Sequence, residues 1–146
     1  MIRAVLDTNV LFSGILGFEI AQSTPGELVR RWDRNEFRLI VSEHILSELA
    51  RAFTDRYVTS RLDPDQIAAM FRLLRLSATV QPLTVHVRGV ATQPKDDLVL
   101  AAAISARADY LVTGDHPLQG LVRLEGVSIL SPRQFLELLE AEPTRE

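Results

Sequence analysis

Short apolar, β-branched runs alternate with longer amphipathic stretches along this chain, and that alternation restricts its fold more than any other feature. Ile2–Leu6, Phe37–Val41, Tyr110–Thr113 and Val127–Leu130 have the length and composition of strands buried in a sheet. Helical signals stand between them. Thr24 is placed to cap a helix from Pro25 to about Asn35, with proline at the favoured first position. Ser42 caps a second helix running to about Phe53, with Ile45, Leu46, Leu49 and Phe53 on one face. Asp63-Pro64 opens a third, in which Ile67, Met70, Phe71, Leu74 and Leu76 point inward. Asp96 or Asp97 opens an Ala-rich helix to Arg107, and Ser131-Pro132 opens the last, carrying Phe135, Leu136, Leu138 and Leu139. The segment after Leu6 reads as a loop, and Thr79–Val90, broken by Pro82, as extended chain or edge strand. The polar tail Ala141–Glu146 reads as a frayed end. Alternating elements of these lengths predict an α/β fold, a three-layer α/β/α sandwich with a central parallel sheet flanked by helices. At 146 residues, without repeat or linker, the chain reads as a single domain over residues 1–146.

Composition narrows the function classes. No apolar run approaches the roughly 18–20 residues needed to span a bilayer, so no membrane role is expected. The N-terminus reaches Asp7 too early for a signal peptide. The absence of cysteine excludes disulfides, thiolate metal sites and cysteine nucleophiles, and fits a cytoplasmic protein. A net charge of −3 is not the basic footprint of a nucleic-acid binder. Setting aside Asp7, Glu48, Asp97 and Asp115, however, leaves the remainder at +1. Of the 16 basic residues all but Lys95 are arginine, whose planar fork suits phosphate. Arg30, Arg31, Arg34 and Arg38 form the clearest basic strip, readable equally as a solvated helix face.

Those four acids share a grammar. Asp7 follows the first strand and opens Asp7-Thr8-Asn9; Asp115 follows a later strand in Thr113-Gly114-Asp115; Asp97 stands at the mouth of the Ala-rich helix. In an open α/β sheet, the carboxyl ends of strands and the helix starts beside them share the edge where ligands bind. Each acid also has an ordinary structural role as cap or turn residue. Asp96 could fill the capping role and leave Asp97 facing the sheet edge. Glu48 borders the buried stripe of its helix and could reach across toward Asp7, with Glu43 as its competitor. Carboxylates gathered there would repel one another, which points to a divalent cation. His44, His86 and His116 show no ligand spacing, and neither a nucleophile elbow nor a Gly-rich phosphate loop is present.

The ordered set Asp7-Thr8-Asn9, Ser42 to Glu48-Leu49, Asp97-Leu98-Val99-Leu100-Ala101-Ala102 and Thr113-Gly114-Asp115 resembles the PIN domain, the nuclease fold of VapC-type toxins. Asp7 to Gly14 and Ala108 to Asp115 look like the toxin-antitoxin branch of that family, and the resemblance covers essentially the whole chain. It implies a metal-dependent endoribonuclease that uses Mg²⁺ or Mn²⁺ to hydrolyse RNA, the toxin of a type II toxin-antitoxin pair. It also implies an antitoxin partner and a homodimer, for which Phe12, Trp32 and Phe53 would be the apolar candidates; the arginine strip would meet RNA or the antitoxin's acidic tail. Carried over by position, Asp7, Glu48 and Asp97 would be the central catalytic and metal-binding acids and Asp115 the fourth. Asn9 and Thr113 match the polar helpers, and Lys95 and Asp96 would support the site or its substrate. Gln93 and Lys95 stand where this branch commonly carries acids, and His116-Pro117 replaces a usual charged pair.

Two rival readings remain. A phosphatase with an aspartate nucleophile would want a second acid where Asn9 stands and a lysine beyond the solitary Lys95. A non-catalytic module for binding RNA or protein would keep the fold without needing the acids.

Overall fold

A computed structural model describes residues 1–55 and 62–141. Among these, the order is β1 (Arg3–Leu6), α1 (Thr8–Leu16), α2 (Thr24–Asp33), β2 (Arg38–Val41), α3 (Glu43–Ala52), α4 (Pro64–Ser77), β3 (Thr79–Val80), α5 (Pro94–Ser105), β4 (Tyr110–Val112), α6 (His116–Gln119), β5 (Arg123–Leu124), β6 (Val127–Leu130) and α7 (Pro132–Ala141). The strands form one sheet in the order β3-β2-β1-β4-β6-β5. Every pairing is parallel except β5 with β6, so the expected parallel sheet carries one antiparallel edge. That edge is a hairpin through Glu125 and Gly126, both at positive φ, the conformation a two-residue turn requires.

The core lies on the sheet. Ala4, Val5, Leu6, Leu39, Ile40, Val41, Leu111 and Val112 are fully buried, so the central strands read as continuous apolar runs. Helices α1 and α2 pack on each other, α3 on α1, α7 on α2 and β6, and α5 on β1 and β4. Phe135 of α7 seats edge-on against Phe37, ring centroids 5.1 Å apart. Gly14 lets α1 approach α2 closely, because a Cβ there would stand 2.4 Å from Val29 and 2.7 Å from the Pro25 carbonyl.

Several expectations need correction. The segment after Leu6 is a helix, α1, capped by the side chain of Asp7. Ser23, not Thr24, caps α2 by accepting from Gly26 N–H. Helix α5 starts at Pro94, two residues ahead of Asp96, after Gln93, which makes no side-chain cap. Only Thr79–Val80 of the extended stretch pairs as a strand. Leu76 is 85% exposed rather than inward. Trp32 and Phe53 are buried in the core and Phe12 packs against it, so these three do not form an exposed apolar face. Tail residues 142–146 lie outside the described residues. No helix among the described residues is long and apolar enough to cross a membrane.

Candidate active site

The sheet reverses its winding at β1. From it the chain runs outward through β2 and β3 on one side and through β4 and β6 on the other, leaving a crevice beyond the carboxyl ends of β1 and β4. Continuing the parallel register past the strand ends lines up Ser42, Asp7 and Thr113 in adjacent positions. All three are buried polar residues, the first row after the apolar strands.

Asp7 is tightly held. Its Oδ1 accepts from Thr8 N–H at 2.7 Å, its Oδ2 accepts from the Thr113 hydroxyl at 2.8 Å, and its backbone N–H donates to Val112 O at 2.8 Å. Thr113 is completely buried, and its Oγ1 also accepts from Asp115 N–H at 3.0 Å. Gln119 Nε2 donates to the Thr113 carbonyl at 2.7 Å and fixes the turn that carries Asp115. One hydroxyl thus links the acid of the first strand to the acid after the fourth.

Burial pushes the Asp7 carboxyl above the ordinary aspartate value of 3.8. The hydrogen bonds from Thr113 and Thr8 pull it back, Asp115 pushes it up further, and Lys95 opposes that push. Asp96 is raised as well, by desolvation first and then by the charges of Asp7 and Asp115; Lys95 offsets part of this and Asp97 adds to it. Asp7, Asp96 and Asp115 therefore share one field, and exposed Lys95 is the cation acting within it.

The two adjacent acids of α5 have different surroundings. Asp96 feels the charges of Asp7 and Asp115, whereas buried Asp97 accepts three backbone N–H bonds: from Gly89 at 3.0 Å, Val90 at 3.2 Å and Ala91 at 2.7 Å. Residues one apart on a helix point about 100° apart, which gives the two carboxyls different neighbours. Glu48 lies on α3 beside α1, and its Oε1 accepts from Arg51 at 3.0 Å. Asn9 is exposed in the first turn of α1. Glu43, the competitor of Glu48, is engaged by Arg75. Hydrogen bonds thus join Asp7, Thr113 and Asp115, the charges of Asp96 and Lys95 act on that group, and Asp97 and Glu48 have other partners. Sequence reasoning missed Ser42 as a neighbour of Asp7, although its place one residue after β2 carried that signal.

The donor set fits a hard divalent cation, since it offers carboxylate oxygens whose mutual repulsion such an ion would relieve. Among the described residues no three acids or histidines are already drawn into a cation-sized cluster. Mg²⁺ does not require one, because it is commonly held by one or two carboxylates with its own waters and substrate phosphates.

Three of the four arginines in the strip are engaged within the protein. Arg30 donates to Glu27 and to the carbonyls of Gly17, Phe18 and Ile20; Arg31 reaches Glu27 and Glu36, and Arg34 reaches Glu36. Arg38 is exposed at the start of β2. An apolar groove of about 310 Å³ lies elsewhere, lined by Ile15, Leu16, Phe53, Ile67 and Met70 among others.

Comparison with known proteins bears on fold and lineage. A sequence profile described as PIN domain matches residues 3–117. No curated protein matches the sequence. A chain in the crystal structure of VapBC2 from Rickettsia felis, bound to a DNA fragment from its promoter, has the same fold. It superposes with a TM-score of 0.58 at 14% sequence identity, over 89% of this chain and 98% of that one.

Proposed function

The chain belongs to the PIN domain family, and on that footing we propose that it is a metal-dependent endoribonuclease. The observation that carries this reading is the Thr113 hydroxyl that joins Asp7 and Asp115 at the carboxyl ends of β1 and β4, where burial and like charge push the carboxyls of Asp7 and nearby Asp96 above their ordinary value. Acids so arranged destabilise the bare protein and favour a cation, and such perturbed groups in a crevice are a mark of functional sites.

Asp7, Asp96 and Asp115 would hold Mg²⁺ or Mn²⁺. Glu48 is a proposed further acid, one that would first have to leave Arg51, an exposed pairing of small strength. A bound cation of this kind lowers the pKa of water and neutralises charge developing on a phosphodiester. Asp7 is oriented for that task by Thr113 and Thr8, with both oxygens already committed to fixed donors. A carboxylate at this edge can take the proton of an attacking water. Lys95 is exposed beside the acids and can meet a substrate phosphate, and Asn9 supplies an amide within the first turn of α1. No side-chain nucleophile is needed, in keeping with a chain that has no cysteine.

In the same reading the RNA is the target of a toxin, acting in the cytoplasm. A small antitoxin and a second copy of the chain are its protein partners. The test is cleavage of single-stranded and structured RNA in Mn²⁺ or Mg²⁺, run beside Asp7→Asn. Metal-dependent cleavage that the variant loses supports the nuclease. RNA binding without cleavage would point to a binding module, and phosphate release from a small ester without RNA cleavage to a phosphatase.

A further inference from the structure

Asp97 has a carboxylate that the proposed chemistry does not use. It is 6% exposed, sits one residue after Asp96, and is closed over by three successive backbone N–H groups. Gly89 makes this closure possible. Its φ of +67° is left-handed backbone, and a left-handed residue in such a run turns consecutive N–H groups toward one anion. Space around a Cβ at Gly89 is open, so conformation alone favours glycine there.

The mooring answers a deficiency of α5. Its N-cap residue, Gln93, makes no side-chain cap; Pro94 opens the helix, and in its first turn Lys95 opposes the helix dipole that Asp96 and Asp97 favour. In place of a side-chain cap, the ring closed from Asp97 back to residues 89–91 ties the start of this helix to the segment before it.

We propose that Asp97 is a positioning residue: by mooring Gly89, Val90 and Ala91 it sets the start of α5 and thereby the place of Asp96 and Lys95 opposite Asp7. This rests on the nuclease reading for its functional meaning, though not for the mooring itself. It assigns the two neighbouring acids different work, Asp96 toward the ligand and Asp97 toward the backbone.

The experiment compares Asp96→Asn, Asp97→Asn and Gly89→Val with the wild-type protein, by amide hydrogen exchange and by titration with Mn²⁺ alone. Asp97→Asn is expected to speed exchange at residues 89–91 by about tenfold or more, from the loss of charge-assisted bonds. It should weaken Mn²⁺ binding about tenfold, with RNA cleavage recovered at saturating Mn²⁺. Gly89→Val leaves the carboxylate in place and should move both readings the same way. Asp96→Asn should weaken Mn²⁺ binding further and leave exchange at residues 89–91 unchanged. The proposal is overturned if Asp97→Asn loses Mn²⁺ binding while exchange at 89–91 is unaltered and Gly89→Val binds normally; Asp97 would then be a direct ligand. Wild-type protein that neither binds Mn²⁺ nor cleaves RNA would overturn the nuclease reading. The exchange measurement needs neither metal nor RNA and decides the mooring by itself: unchanged protection at 89–91 in Asp97→Asn sinks it.

Discussion

Two charged clusters in this protein are built on opposite plans. On α2 and in the turn after it, Glu27 receives Arg30 and Arg31 at 2.9 and 3.0 Å, and Glu36 receives Arg31 and Arg34 at 3.1 and 3.0 Å. Arg30 spends its remaining donors on carbonyls of the loop after α1. Hydrogen bonding to Arg30 holds the Glu27 carboxyl below its ordinary value of 4.5, against partial desolvation. At the carboxyl edge of the sheet the sign is reversed, because burial and like charge hold Asp7 and Asp96 above theirs. Charges that satisfy one another belong to the scaffold. Acids in excess at a crevice, with Lys95 offsetting only part of their repulsion, are an unfilled demand that a ligand can meet.

Substitutions can break that contrast, beginning with the strongest. Asp7→Asn should lower RNA cleavage by about 10²–10⁴-fold, the range of an essential acid–base group, measured as single-turnover rate with the fold checked by circular dichroism. An unchanged rate would remove the acidic edge from the chemistry. Arg30→Ala should do the reverse, destabilising the protein by about 2–3 kcal/mol in urea unfolding through lost charged hydrogen bonds, with cleavage per folded molecule unaltered. Thr113→Val tests the link between the two strand-end acids. It leaves the buried Asp7 carboxylate one donor short and should cost about 1–3 kcal/mol of stability along with roughly tenfold in rate.

The pH dependence separates the two clusters by sign. Asp7 and Asp96 hold protons more tightly folded than unfolded, so their stabilising contribution is present below the ordinary value of 3.8 and is lost as pH rises through their raised values. Glu27 behaves oppositely: its contribution is present above 4.5 and lost as pH falls through its lowered value. In unfolding measured across acid to neutral pH, Asp96→Asn should therefore flatten the decline toward neutrality and raise the neutral-pH Tm by a few degrees, about 1–3 °C. Glu27→Gln should leave that decline steeper. The smallest effect belongs to Arg34→Ala, at a side chain 56% exposed, expected within about 0.5 kcal/mol of wild type by the same unfolding assay.

Periodicity and capping made much of the fold legible. The buried runs around Ala4, Ile40 and Leu111 became the central strands, and Ser42 and Asp63 do cap α3 and α4. Helix α1 escaped because Val10, Leu11, Gly14 and Ile15 are all buried and leave little polar face to mark a helical period. Strand β5 and helix α6 are too short to carry a pattern. The site was readable as a neighbourhood and not as a set of contacts. Asp7, Thr113 and Asp115 are found together, as their strand-end positions foretold. Which of Asp96 and Asp97 faces the crevice had no visible sign, because the groups that claim Asp97 are backbone amides, and every residue but proline carries one. Asn35, at φ 60°, closes α2 in the left-handed region that asparagine tolerates better than most, a boundary the sequence marked within two residues.

The central position of β1 has a consequence for the timing of synthesis. Asp7 and Thr113 are 106 residues apart along the chain, yet they share a hydrogen bond. On the ribosome, β1 can find β2 early, since only a loop and two helices separate them. Its other neighbour, β4, does not exist until residues 110–112 have emerged, and a contact so distant in sequence closes slowly. Every nascent chain shorter than that carries Asp7 without its hydroxyl partner and without Asp115. Under the proposed nuclease reading, the protein would thus be made beside its own messenger before its acidic edge is complete.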